Sequence, residues 1–132
     1  MKLTNQVTPS KEEFVKFIKE YPSNTPITMI NILKFKEKSG NGAETGKEAY
    51  LRYSKNMVAL MEKANGKVVW MGNVHQTIIG DYESQPDLLL LVAYPNKESF
   101  ITMCTTPEYE EISKDRKMAL EYGGLMVSTP VG

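Results

Sequence analysis

Arg116 is the charged residue whose placement says most about chemistry. Helical spacing sets it on one face with Tyr109, Ile112 and Ala119, the face expected to pack inward. A guanidinium drawn out of water needs an anion, because its charge cannot be shed. It would either anchor a carboxylate-bearing ligand or form a structural ion pair with Asp81 or a glutamate, the commoner arrangement. Asn31 is the second candidate. It is the one polar residue among Ile27, Met29, Leu33 and Phe35 on one face of an apolar strand. A buried amide left unpaired costs about 1–3 kcal/mol, so it must bond to backbone, to a tyrosine hydroxyl or to a ligand oxygen. Tyr50, Tyr53 and Tyr109 add phenols on inward helix faces, where they serve as core residues with a tied hydroxyl or as ligand contacts.

The remaining reactive residues point less clearly. Asp81 follows Gly80 at a turn, where aspartate is usual; a general-base role is the minority reading. His75 is the only histidine, and it reads as a residue near a sheet edge rather than a haem ligand or base. Cys104 reads as a small buried hydrophobe with no base beside it. No cluster of His, Cys and carboxylates has metal-ligand spacing, so no metal is expected. There is no glycine-rich phosphate loop, serine elbow or basic-aromatic RNA-binding pattern.

The elements that must position these groups are marked by their ends. Ser10 and Glu13 form a capping box ahead of Phe14, Phe17, Ile18 and Tyr21, predicting a helix over 11–21 that Pro22 stops. Residues 27–35 form a strand apolar on both faces. The segment 36–46, with Gly40, Gly42 and Gly46, reads as a mobile loop, either a lid or a plain connection. Thr45 and Glu48 open a second helix, closed by Asn65-Gly66. Lys67 to Ile79 is strand-rich with a bulge or bend near Gly72, and 80–86 forms a hairpin loop. Leu88 to Tyr94 is a second central strand. Asn96 caps a short helix, and Thr106-Pro107 opens another that Gly123-Gly124 ends before a last strand at 125–129. Trp70 belongs to the core or to an interface.

After the leading helix the order is strand, helix, strand, strand, helix, strand. This predicts an α+β, ferredoxin-like βαββαβ fold with a four-stranded antiparallel sheet, in one domain over 1–132 with 11–21 as an added N-terminal helix. Helices can cover one face of such a sheet only. The other face still carries large apolar residues, so a second copy packed sheet to sheet is expected. The 132 residues include 16 basic and 16 acidic ones, and this balance gives no drive toward nucleic acid or anionic lipid. A single cysteine allows no intrachain disulfide, and no apolar run is long enough for a signal peptide or a membrane span. A cytoplasmic protein is the expectation.

The pieces Met29-Ile30-Asn31-Ile32-Leu33-Lys34-Phe35, Ala49-Tyr50 with Tyr53, Gly80-Asp81, Tyr94-Pro95-Asn96, and Thr106-Pro107-Glu108-Tyr109 with Arg116 occur in order from Pro26 to Thr129. This set resembles the uncharacterised DUF1330 family of the dimeric α+β barrel superfamily. The resemblance implies that fold and a homodimer; the wider superfamily, which includes cofactor-free monooxygenases, haem-binding degraders and isomerases, shares a pocket between sheet and helices, and no cofactor is expected here. The resemblance leaves two functions open. One is a cofactor-independent monooxygenase- or isomerase-like enzyme acting on a carboxylated or phenolic metabolite. The other is a non-catalytic ligand-binding or structural homodimer. The candidate ligand residues are Asn31, Tyr50, Tyr53, Asp81, Tyr109 and Arg116.

Overall fold

The computed structural model describes residues 3–40 and 42–131. Helix α1 (Lys11–Glu20) is followed by strand β1 (Ile27–Phe35), helix α2 (Gly46–Lys63) and strand β2 (Lys67–Asn73). Strand β3 (Leu88–Tyr94), helices α3 (Lys97–Cys104) and α4 (Pro107–Ala119), and strand β4 (Leu120–Ser128) complete the chain. The strands form one antiparallel sheet in the order β2-β3-β1-β4, so the two apolar runs become the central pair, as expected of a ferredoxin-like fold. Two crossovers, through α2 and through α3–α4, place their helices on the same face, because such connections are right-handed.

Capping side chains set the helix starts. Thr45 and Glu48 close a full reciprocal box on α2, Asn96 and Thr106 cap α3 and α4, and Ser10 accepts from the Glu13 amide. Asn65, in left-handed backbone at φ 55°, turns the chain out of α2.

Strand register sorts the sheet into two faces. Toward the helices lie the row Val68, Val92, Met29, Val127 and the row Met71, Leu90, Asn31, Leu125. Ile27, Met29, Leu33, Leu90, Val92 and Tyr94 on this face meet Ala49, Tyr50, Met57, Leu60, Phe100, Met103 and Ala119 in the core. Each large aliphatic group so buried stabilises the fold by about 1.5–3 kcal/mol. The opposite face carries a row of cross-strand partners, Trp70, Leu91, Ile30 and Met126. Trp70 is 58% exposed and Met126 46%.

Three elements differ from the sequence expectation. Strand β2 ends at Asn73 rather than Ile79, while the expected irregularity is present as a register shift between Val68 and Trp70. Beyond it Val74 N–H still donates to Asp87 O at 2.9 Å, the Thr77 amide then donates to the Gln85 side chain, and a 3-10 turn at Tyr82–Ser84 replaces the plain hairpin. Gly123 and Gly124 do not end a helix; they lie inside β4, which begins at Leu120. A methyl on Gly123 would come 2.7 Å from Arg116 Nη2, and one on Gly124 would come 2.2 Å from the Tyr122 hydroxyl. The pair makes room for two large side chains crossing the strand.

Segment 36–46 is tied down along its described residues. Lys36 N–H donates to Ala119 O at 2.9 Å, Gly40 N–H to Met118 O at 3.0 Å, and Gly46 N–H to Lys36 O at 3.0 Å. Arg52 of α2 grips both Glu44 and Asp115 of α4, fastening the segment to the helix pair. Among the described residues no helix is long and apolar enough to cross a membrane.

Candidate functional site

The central row of the helix-side face is the floor of the site. Met71 and Leu125 at its ends are each 43% exposed, although they face the helix layer. The layer does not close over them. It leaves a cleft of about 1180 Å³, floored by Met71, Leu90, Asn31 and Leu125 and walled by α2 and α4. The N-terminal segment and α1 supply the third wall, through Gln6, Val7, Phe14 and Phe17. None of the described residues of segment 36–45 lines it, and Gly46 does not either.

Asn31 lies on the helix side of the sheet, in the middle of the floor. Its Nδ2 donates to the Leu90 carbonyl at 3.2 Å. That bond uses one Nδ2 hydrogen, fixes the amide's orientation and leaves Oδ1 as an acceptor on the cleft side. Among the described residues no protein donor reaches Oδ1, and no fully enclosed side-chain nitrogen or oxygen lacks a partner. The Oδ1 acceptor is therefore reached by solvent within the cleft.

Arg116 leans from α4 across β4. Its Nη1 donates to the Val7 carbonyl and its Nη2 to the Gly123 carbonyl at 3.3 Å. No carboxylate pairs with it among the described residues, in contrast to Arg52. The expected ion pair with Asp81 or a glutamate is therefore absent: two neutral carbonyls hold the guanidinium without cancelling its charge. With five N–H donors in the group and two of them engaged, donors remain for a ligand. Val7 is itself held, since Gly123 N–H donates to Gln6 O at 2.9 Å and brings the N-terminal segment alongside β4.

Tyr50, Tyr53 and Tyr109 surround the same space. Phe35, Tyr50 and Tyr53 form a ladder with ring centroids 5.5 and 5.4 Å apart. Burial is the main influence on each phenol and pushes it up, Tyr50 to about 12 and Tyr53 well above its usual value, while Arg116 pulls each back by a smaller amount. The phenols are thus neutral donors at neutral pH, not phenolate bases. Burial likewise raises the Cys104 thiol to about 12, which makes it a poor nucleophile.

Asp81 does not join this cluster. It is exposed, it accepts from the Glu83 amide at 3.0 Å and from the Ser84 hydroxyl at 3.3 Å, and it caps the 3-10 turn outside the cleft. A carboxylate placed after Gly80 at a turn is used up by local backbone donors. His75 is exposed and also outside the cleft. Among the described residues no group of three His, Cys, Asp or Glu could hold a metal ion.

Two parts of the site escape the sequence reading. The N-terminal wall is one; its only signal is the apolar stripe Phe14, Phe17, which Phe17 uses to meet Phe100 edge to face at 6.1 Å. Lys97 is the other. It is 5% exposed, and its Nζ donates to Ile18 O at 2.6 Å and Tyr21 O at 2.5 Å, clamping the last carbonyls of α1.

Comparison with known proteins follows this geometry. A family described as a domain of unknown function (DUF1330) matches residues 43–129, a span that contains Tyr50, Tyr53, Tyr109 and Arg116 but not Asn31. No curated protein matches the chain. The crystal structure of a protein of unknown function from Rhodopseudomonas palustris is similar at 30% identity and TM-score 0.90, over 98% of this chain and 99% of that one. A dimeric protein of unknown function with a ferredoxin-like fold from Bacteroides fragilis aligns at 14% identity and TM-score 0.53, over 78% of this chain and 94% of that one. A protein provisionally described as an antibiotic biosynthesis monooxygenase from Bacteroides thetaiotaomicron aligns at 11% identity and TM-score 0.53, over 81% of this chain and 90% of that one. The last two share the fold.

Proposed function

The chain belongs to the DUF1330 family, and we propose that it is a small-molecule-binding protein whose cleft holds an organic anion by its carboxylate. One observation carries the reading: the Arg116 guanidinium borders a largely apolar cleft with carbonyl partners and, among the described residues, no carboxylate paired with it. A carboxylate would replace the missing anion with a charge-assisted, paired contact. The apolar floor would take the body of the ligand, and the neutral phenols would add donors around it.

Binding is favoured over proton-transfer catalysis by the titrating groups. Among the described residues the carboxylates lining the cleft are Glu13 and Glu62, and the phenols and the thiol stay protonated at neutral pH. An isomerase- or monooxygenase-like reaction draws support from a different feature. Three neutral phenols beside a guanidinium are suited to stabilise an oxyanion as it develops on a bound substrate.

The functional unit is proposed to be a homodimer. The row Trp70, Leu91, Ile30 and Met126 faces away from every helix, and a second copy would bury it sheet to sheet. The Bacteroides fragilis protein of the same fold is described as dimeric. Light scattering of the purified chain is expected to give twice the chain mass; a monomer at micromolar concentration would refute this part.

The test of the binding reading is a calorimetric comparison of benzoate with benzamide. The carboxylate is expected to bind more tightly by about 10- to 100-fold, the worth of a hydrogen bond to a charged group. Substituting Arg116→Met should erase the difference. Equal binding of acid and amide by the native protein would overturn the reading.

A further inference from the structure

The two polar anchors of the cleft have opposite character. Arg116 can only donate, whereas Asn31, with one Nδ2 hydrogen on Leu90 O, offers Oδ1 as an acceptor without a protein donor among the described residues. They also stand a fixed distance apart. Gly123, which Arg116 crosses, pairs with Leu33, two residues along β1 from Asn31 and one strand over. Strand spacings put these two backbone points about 8 Å apart. The floor around them is apolar: Leu125 lies beside Asn31 on β4, on the Gly123 side, and Leu90 lies beyond Asn31 on β3, while the rings of Tyr50 and Tyr53 lie in the wall.

We propose that the ligand of this cleft is a hydroxy- or amino-substituted aryl carboxylate, its carboxylate on Arg116 and its donor group on Asn31 Oδ1. The proposal rests on the carboxylate-binding reading above and adds the second anchor. A flat ring carrying the two groups, directly or through a short arm, would cover the apolar floor while reaching toward both anchors. Aryl acids with a second acceptor in place of the donor would leave Asn31 Oδ1 facing a lone pair. Acids with neither would leave it stripped of water and unpaired. The Asn31 amide thus selects by donor, and Arg116 by charge.

The experiment uses three matched pairs on the native chain: 4-hydroxybenzoate with benzoate, 4-hydroxyphenylacetate with phenylacetate, and 4-hydroxycinnamate with cinnamate. Calorimetry is expected to show the hydroxylated member tighter in at least one pair, by roughly 3- to 10-fold, the worth of one neutral hydrogen bond. The 4-methoxy analogue of that acid should lose the gain. In Asn31→Leu, of nearly the same size, the two members of the pair should bind equally. Equal binding of all three pairs, or a hydroxyl gain that persists in Asn31→Leu, overturns the assignment while leaving carboxylate binding intact. Failure of every acid to bind overturns both. The methoxy comparison needs no variant, so it decides the matter even if Asn31→Leu does not fold.

Discussion

Gly123→Ala tests how Arg116 is seated. The added methyl would lie 2.7 Å from Arg116 Nη2, 3.2 Å from its Cζ and 2.8 Å from Leu120 Cδ1. Gly123 has no positive φ, so alanine suits its backbone, and the cost arises from crowding alone. Overpacking of this kind costs about 1–3 kcal/mol. Restricting the unfolded chain returns about 0.4–1 kcal/mol. The net expectation is a loss of about 1–2 kcal/mol, read from urea unfolding with an unchanged slope. Because two of these three crowded atoms belong to the guanidinium, Arg116→Met should relieve part of the strain, leaving the Leu120 contact. Gly123→Ala introduced into that background should cost clearly less, the remainder coming from Leu120 Cδ1, giving a coupling energy of about 1 kcal/mol in the double-mutant cycle. The same penalty in both backgrounds would show that the guanidinium does not lie across Gly123, and the geometry of the cation site would be refuted.

Other expectations follow from particular contacts. A methyl on Gly46 would meet Lys36 O at 2.3 Å and Ala119 O at 2.5 Å, both backbone, so Gly46→Ala should cost more than about 3 kcal/mol and leave little soluble protein. Lys97→Met removes two charge-assisted bonds to α1, and hydrogen exchange should accelerate over residues 11–21 while β1 and β3 keep their protection. The buried phenols set an alkaline limit. Tyr50 titrates near 10 unfolded and about 12 folded, so its contribution is constant below pH 10 and is lost as pH rises from 10 to 12. Thermal melts should therefore fall steeply across that interval, and Tyr50→Phe should flatten the fall. Trp70→Glu should yield a folded monomer, seen by light scattering with an unchanged circular dichroism spectrum; a dimer that persists would place the interface elsewhere.

Much of the fold could be read in the chain because its signals are local and agree with one another. Two runs apolar on both faces, Ile27–Phe35 and Leu88–Tyr94, needed cover on both sides, and they are the central strands. Thr45 with Glu48, Asn96, and Thr106 with Pro107 marked helix starts by chemistry that acts within one turn. The failures occurred where tertiary contacts gave a residue another use. Gly123-Gly124 has the composition of a helix end, yet its purpose is to clear space for Arg116 and Tyr122, which no local pattern reveals. Three glycines in 36–46 suggested mobility, whereas the backbone of that segment is held by Lys36, Met118 and Ala119. The alternation of β1 grouped Asn31 with the apolar residues of one face. Only the register could say that this face lies under the helices, and only the Leu90 bond could say which end of the amide is presented. Arg116 was read as inward-facing, but its partners, Val7 O and Gly123 O, are backbone atoms from both ends of the chain. No inspection of side-chain types could have found them.

The central claim is that Arg116 meets the ligand's carboxylate, and arginine side-chain resonances observe this directly. The chain has two arginines, Arg52 and Arg116, so guanidinium nitrogen spectra assign readily from one variant. Arg52 is already engaged by Glu44 and Asp115 and serves as the internal reference. On titration with 4-hydroxybenzoate, the Arg116 signals should shift saturably while those of Arg52 stay in place. A saturating shift elsewhere in the spectrum with Arg116 unmoved would contradict the account.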